Sequence, residues 1–145
     1  MLATDDLDAY LLRLGLDREP PSAGALARIH RAQVERVPYE TAWIHMGHQW
    51  SVDQQASFRR VAADKRGGYC FHLNGAFAIL LEALGYNVTL HVGGVHGPDG
   101  PAEESMTNHL VLTVNDLPDE SNPGGAWYVD AGLGDALYDL SLIHI

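Results

Sequence analysis

Between residues 4 and 84 the apolar positions recur every three or four residues, and from residue 87 onward they alternate. The first stripe is Leu7, Tyr10, Leu11 and Leu14, opened by Thr4 and ended near Gly15. That spacing predicts a helix with one buried face. Pro20-Pro21 interrupts the chain, and Ser22 is placed to cap a second helix. Its stripe is Leu26, Ile29, Gln33, Val34 and Val37, stopped by Pro38. Asp53 opens a shorter helix through Phe58, Val61 and Ala62 to Lys65, which Gly67-Gly68 is predicted to end with a tight turn. A fourth helical run follows, and its residues Phe71, Phe77, Leu80, Leu81 and Leu84 read as core before Gly85 closes it. Trp43 and Trp50 fall in a stretch without periodicity that reads as loop.

After Gly85 the pattern becomes that of strands. Residues 87–95 are β-branched and alternating, residues 97–101 form a turn cluster, and residues 109–114 and 126–130 read as strands. Helices first and strands second predict an α+β fold with the two parts segregated. The expected division is a helical bundle over residues 1–85 and a partial antiparallel β-barrel over residues 86–139. The last six residues, Leu140-Ser141-Leu142-Ile143-His144-Ile145, have no cap, turn or polar tail. They resemble an in-frame translation of a transposon-end sequencing tag, so the native chain is expected to end near Asp139. A genuine short strand is the other reading.

Composition narrows the partners. Nineteen acidic residues against nine basic ones give a net charge of −10, which argues against nucleic acid or an anionic membrane surface. No apolar run approaches the ~20 residues of a membrane-spanning helix. The start, Met1-Leu2-Ala3-Thr4-Asp5-Asp6, lacks the basic and apolar segments of a secretory signal. With a single cysteine there is no intramolecular disulfide, and the expected location is cytoplasmic. The histidine pairs His45/His48 and His91/His96 lack the clustered companions of a zinc site, so no metal is expected. Arg59, Arg60, Lys65 and Arg66 read as a solvated helix face.

The candidate chemistry centres on Arg66-Gly67-Gly68-Tyr69-Cys70-Phe71-His72-Leu73-Asn74. It puts the chain's one thiol in the first turn of a helix, where unpaired N–H groups and the helix dipole favour a thiolate. A cysteine nucleophile needs a base, and the base needs an orienting group. His109 heads one apolar strand. Asp130 ends another, as a carboxylate among apolar neighbours that requires a partner. His72, two residues from Cys70 on a helix, does not share its face.

These strings together resemble the arylamine N-acetyltransferases. The resemblance starts in the first helix and continues through Leu26-Ala27-Arg28-Ile29-His30-Arg31-Ala32-Gln33 and Val37-Pro38-Tyr39-Glu40. It covers the residue 66–74 motif and the segment Val129-Asp130-Ala131-Gly132-Leu133-Gly134, and spans residues from about 7 to 139. It implies a cysteine-proteinase-like arrangement with Cys70 as nucleophile, His109 as base and Asp130 as orienter. The implied reaction takes an acetyl group from acetyl-coenzyme A onto Cys70 and passes it to an arylamine, arylhydrazine or N-hydroxyarylamine. The Cys70 N–H is a candidate oxyanion donor. Glu40 and Arg66 are expected to pair, with Gly67 and Gly68 supporting the nucleophile loop. Gly132, Gly134 and Thr107 are assigned to the coenzyme side, and Tyr39, Phe71 and Leu133 to the substrate pocket.

The chain also departs from the family pattern. His72 stands where many bacterial members have Glu, Thr41 replaces the usual Asn, and Ala131 and Leu133 replace Val and Phe. The family's C-terminal α/β lid domain has no counterpart, so the chain is expected to be a truncated member with reduced turnover. A cysteine amidase or transglutaminase-like hydrolase, and a non-catalytic fragment that keeps the fold, are the competing readings.

Overall fold

The computed structural model describes residues 4–95, 98–100, 103–134 and 138–142. Five helices precede the strands: α1 (Thr4–Leu14), α2 (Ala23–Arg36), α3 (Ala42–His45), α4 (Gln54–Ala62) and α5 (Cys70–Ala83). Ser22 caps α2 by accepting from the Ala25 N–H at 3.1 Å, and Asp53 caps α4 by accepting from the Ala56 N–H at 2.7 Å. Both start signals were readable in the sequence. The short α3 was not. It sits where a loop was expected, and it buries Trp43 while Trp50 stays half-exposed.

The end of α4 also differs from expectation. The helix stops at Ala62, and the left-handed residue of the turn is Lys65 (φ 55°), with neither Gly67 nor Gly68 in that region. Those two glycines serve close approach instead. A Cβ on Gly67 would lie 1.8 Å from the Pro38 carbonyl oxygen, and one on Gly68 would lie 2.5 Å from the His72 Cβ.

The strands are β1 (Asn87–Gly93), β2 (His109–Asn115), β3 (Trp127–Val129) and β4 (Ser141–Leu142), with a 3₁₀ turn (Glu103–Thr107) before β2. They form one antiparallel sheet in the order β1-β2-β3-β4. Gly93 pairs with His109, Leu112 with Val129, and Trp127 with Leu142. The expected barrel is not formed: among the described residues the sheet is an open meander. With few and short strands, nothing brings the outer edges together. Residues 141 and 142, expected to belong to the tail, pair on β3.

The sheet lies against α5, which also packs on α4 and α1. Leu110, Leu112, Val114, Trp127 and Val129 turn inward from the sheet and are buried. Residues 72–81 of α5 are buried without a break, so the helix is enclosed on all sides rather than amphipathic. One hydrophobic core draws on both halves of the chain, from Leu7 and Tyr10 in α1 to Val129 in β3. Among the described residues no helix is long and apolar enough to cross a membrane.

Candidate active site

Cys70 is the first residue of α5 and is 5% exposed. The loop before it is held from below by Glu40. Arg66 donates to both carboxylate oxygens of Glu40, at 3.0 and 2.8 Å, and the Gly67 N–H donates to one of them at 2.7 Å. The Glu40 N–H donates to the Gly68 carbonyl at 3.0 Å, and Tyr39 bridges Gly68. The pair expected from the sequence is therefore present. It holds Glu40 below its ordinary carboxylate value, through Arg66 first and then, against the opposing cost of burial, the Gly67 N–H. The loop has a second anchor that sequence reasoning missed: Arg13 of α1 donates to the carbonyls of Val61 (2.6 Å) and Arg66 (2.8 Å).

His109 begins β2, and Asp130 follows the last residue of β3. Continuing the Leu112–Val129 register would set His109 level with Gly132, diagonal to Asp130. The His109 Nε2 lies 2.7 Å from Asp130 Oδ2, and the pair is buried. Nε2 is the donor, because an ionised carboxylate only accepts. That leaves Nδ1 with no hydrogen bond among the described residues. The Cys70 thiol donates to the carbonyl of Asn108, the neighbour of His109, at 3.6 Å.

The carboxylate of Asp130 is held from several sides. The Asn74 Nδ2 donates to its Oδ1 at 2.8 Å, and the Gly132 N–H donates to the same oxygen at 2.9 Å. The Tyr128 hydroxyl donates to Oδ2 at 3.2 Å. Asn74 is wholly buried, and it also donates to the Leu110 carbonyl (2.6 Å) and accepts from the Ala131 N–H (2.9 Å). No role was expected for Asn74 or Tyr128. A buried amide in the second turn of an otherwise apolar helix was the available signal, since such a group must find partners.

The thiol is not the ready thiolate that a helix terminus suggests. Burial pushes Cys70 up, and the charge of Asp130 adds to that. The N–H groups of Leu110, Phe71 and Cys70 pull it down, so the terminus acts as expected but does not outweigh desolvation. Cys70 and Phe71 open the helix, so their N–H groups have no intrahelical acceptor.

His72 is turned away from the thiol. Its Nε2 donates to the Ser51 carbonyl at 3.0 Å, and its Nδ1 accepts from the Tyr69 N–H at 3.4 Å. The rings of Tyr69, Trp43 and Trp50 surround it at centroid distances of 4.5, 5.3 and 6.2 Å. Burial holds its pKa down, so the ring stays neutral.

The other expected site residues divide. Tyr39 and Leu133 line one small cavity of about 80 Å³, together with Val37, Pro38, Asp130, Ala131 and Gly134. Phe71 stacks edge-on with Tyr69 at 5.9 Å and does not line that cavity. Gly132 serves close approach: a Cβ there would sit 2.7 Å from the Cys70 Cα and 2.9 Å from the Asn74 Nδ2. Gly134 has φ 83° and lies over the Tyr39 ring. Thr107 ends the 3₁₀ turn and is exposed. A wider cleft of about 580 Å³, bordered by Trp50, Arg59 and Arg60, includes none of the three reactive residues. Arg60 there lies 3.7 Å over the Trp43 ring, while Arg59, Lys65 and Arg66 are exposed. His91 bonds Thr113 at 2.7 Å, and His96 lies outside the described residues.

A thiol at a helix start, an imidazole and a buried carboxylate, on an α+β frame, have the composition of a cysteine–histidine–aspartate site. A family model described as N-acetyltransferase matches residues 23–144. The pineal gland isozyme NAT-3 of Gallus gallus, an arylamine N-acetyltransferase, is 34% identical over 133 residues, covering 90% of this chain and 44% of that protein. The arylamine N-acetyltransferase of M. smegmatis superposes with a TM-score of 0.82 at 31% identity, covering 95% of this chain and 50% of that one. The Mycobacterium marinum arylamine N-acetyltransferase in complex with CoA superposes at 0.81 and 26% identity, covering 95% and 51%. The chain belongs to the arylamine N-acetyltransferase family. It spans about half the length of the relatives it matches.

Proposed function

We propose that this chain carries the Cys70–His109–Asp130 acyl-transfer centre of an acetyl-coenzyme A-dependent arylamine N-acetyltransferase, working through an acetyl-cysteine intermediate. The supporting observation is the buried His109–Asp130 pair beside a cysteine that opens a helix. Asp130 accepts the Nε2 proton, so the neutral imidazole presents Nδ1 as its basic nitrogen. His109 Nδ1 takes the Cys70 proton, and Sγ attacks the thioester carbonyl of the donor. The new C–Sγ bond forms as the bond to the coenzyme sulfur breaks, and the leaving thiolate recovers the proton from His109. An arylamine, arylhydrazine or N-hydroxyarylamine then attacks the acetyl-cysteine. Its proton passes to His109, the C–Sγ bond breaks, and the Cys70 thiolate is reprotonated. The N–H groups of Cys70 and Phe71 are the candidate oxyanion donors.

The small Tyr39–Leu133 cavity is the acceptor side of this reading. Leu133 offers aliphatic contact without a stacking face, which leaves Tyr39 as the aromatic ring on this side. Coenzyme A is a co-substrate here, and no metal enters the scheme.

Intact mass after mixing the purified chain with acetyl-coenzyme A is the test. One acetyl group gained by the chain and none by Cys70→Ala is the expected result. No gain, with Cys70 still alkylated by iodoacetamide, would mean that the donor half-reaction needs more of the protein than this chain. An acetylated Cys70 lost to water faster than to an arylamine would replace the transferase reading by that of a hydrolase.

A further inference from the structure

We propose that Tyr128 is a positioning residue for the reactive centre, its hydroxyl sharing Asp130 Oδ2 with His109 and so setting how tightly the site holds its protons. Tyr128 lies in β3 and Asp130 just after its end, and the chain there brings the two side chains together. The hydroxyl lies 3.2 Å from the oxygen that His109 Nε2 approaches at 2.7 Å. The other oxygen, Oδ1, is occupied by Asn74 and Gly132. Each oxygen of Asp130 thus has two donors, and Tyr128 is the one that competes directly with the imidazole. Its phenol is pushed up to about 12, by burial first and then by the Asp130 charge, so it remains a proton donor throughout the working range.

The ring of Tyr128 lines an open groove of about 390 Å³ on the outer face of the sheet, with Val111, Thr113 and His91. Its hydroxyl reaches Asp130 Oδ2, whereas Asn74 of α5 holds Oδ1. The titratable groups around the carboxylate are His109 from β2, Cys70 from α5, His30 from α2 and Tyr128 itself. His91 of β1 lines the groove and is bonded to Thr113. His30 is buried and held neutral by desolvation, against the pull of the Asp130 and Tyr138 carbonyls, so it adds no charge.

The sign follows from the donor's effect on the carboxylate. A hydrogen bond to the charged form stabilises that form and reduces the negative potential felt by neighbours. Without the hydroxyl, Asp130 presents more charge to its neighbours, and Cys70, already raised by that charge, holds its proton more tightly. The observable is the pH profile of Cys70 reactivity.

This inference rests on the acyl-transfer reading for its consequence, but its test does not use the coenzyme. The rate of Cys70 alkylation by iodoacetamide is followed against pH for the parent chain, Tyr128→Phe and Tyr128→Leu. Both variants lack the hydroxyl, so both profiles are expected to move to higher pH, by about half a unit to one unit. In an Asp130→Asn background the Tyr128→Phe change is expected to produce no further shift, because the hydroxyl acts through the carboxylate. Profiles of both variants that superpose on the parent would overturn the proposal. So would a shift of equal size in the Asp130→Asn background. A shifted profile in a chain that gains no acetyl group would show that the donor half-reaction needs more of the protein than this chain, and would support the role of Tyr128.

Discussion

Asp130 carries its charge at 2% exposure because every direction around it supplies a donor. Such a carboxylate is tolerated only when fully hydrogen-bonded. Asn74 is the donor with most to lose, since its one amide joins Asp130, Leu110 and Ala131. Asn74→Ala would leave the Leu110 carbonyl and the Ala131 N–H without this partner, and Asp130 with one donor fewer on Oδ1. The expected loss is about 2–4 kcal/mol of unfolding free energy, measured by urea denaturation, with Cys70 acetylation falling at least tenfold. The sequence displayed Asn74 at the end of the nucleophile motif, yet its role was not legible there. Its partners lie on β2 and beyond β3, 36 and 56 residues away.

At the scale of elements, the segment after α2 is tied to the loop before α5 by an ion pair, beside the core that both helices share. Arg66 and Glu40 meet in a two-point geometry, reinforced by the Gly67 N–H. The folded pKa of Glu40 lies below its ordinary value of 4.5. The stability it contributes is therefore complete above 4.5 and is lost as pH falls through the depressed folded value. The parent's melting temperature is expected to fall on acidification through that window, and Glu40→Gln should flatten this part of the curve while lowering the plateau near neutrality. Thermal unfolding across the acid range checks this. An unchanged acid limb in Glu40→Gln would assign the loss to other carboxylates. The pair itself was legible, because each partner sits in a recognisable turn. The two glycines beside it were misjudged as turn residues. A turn needs positive φ, which Lys65 supplies, whereas Gly67 and Gly68 are excluded from having a Cβ by Pro38 and His72.

For the molecule as a whole, the proposed centre lies where the sheet meets the start of α5. Gly132 is the point of closest approach, with room for no Cβ against Cys70. Gly132→Ala would push the strand end off the helix. The expected cost is about 1–3 kcal/mol in stability, with acetylation of Cys70 reduced more than tenfold. Acetylation measured by intact mass beside urea denaturation would separate the two effects. Full acetylation in a destabilised Gly132→Ala chain would show that the site tolerates the displacement.

Periodicity and end signals determined the four long helices, the three main strands and the α+β order, because each depends on residues close in sequence. The local motifs around Cys70, His109 and Asp130 marked the candidate groups for the same reason: their side-chain chemistry is intrinsic. Tertiary structure decided what those groups experience. Burial raises the thiol against the pull of the helix terminus, Tyr128 and Asn74 share the carboxylate with His109, and Gly132 brings β3 against α5. None of this is local, because it arises from contacts between segments tens of residues apart, whose meeting is set by packing around the enclosed helix α5.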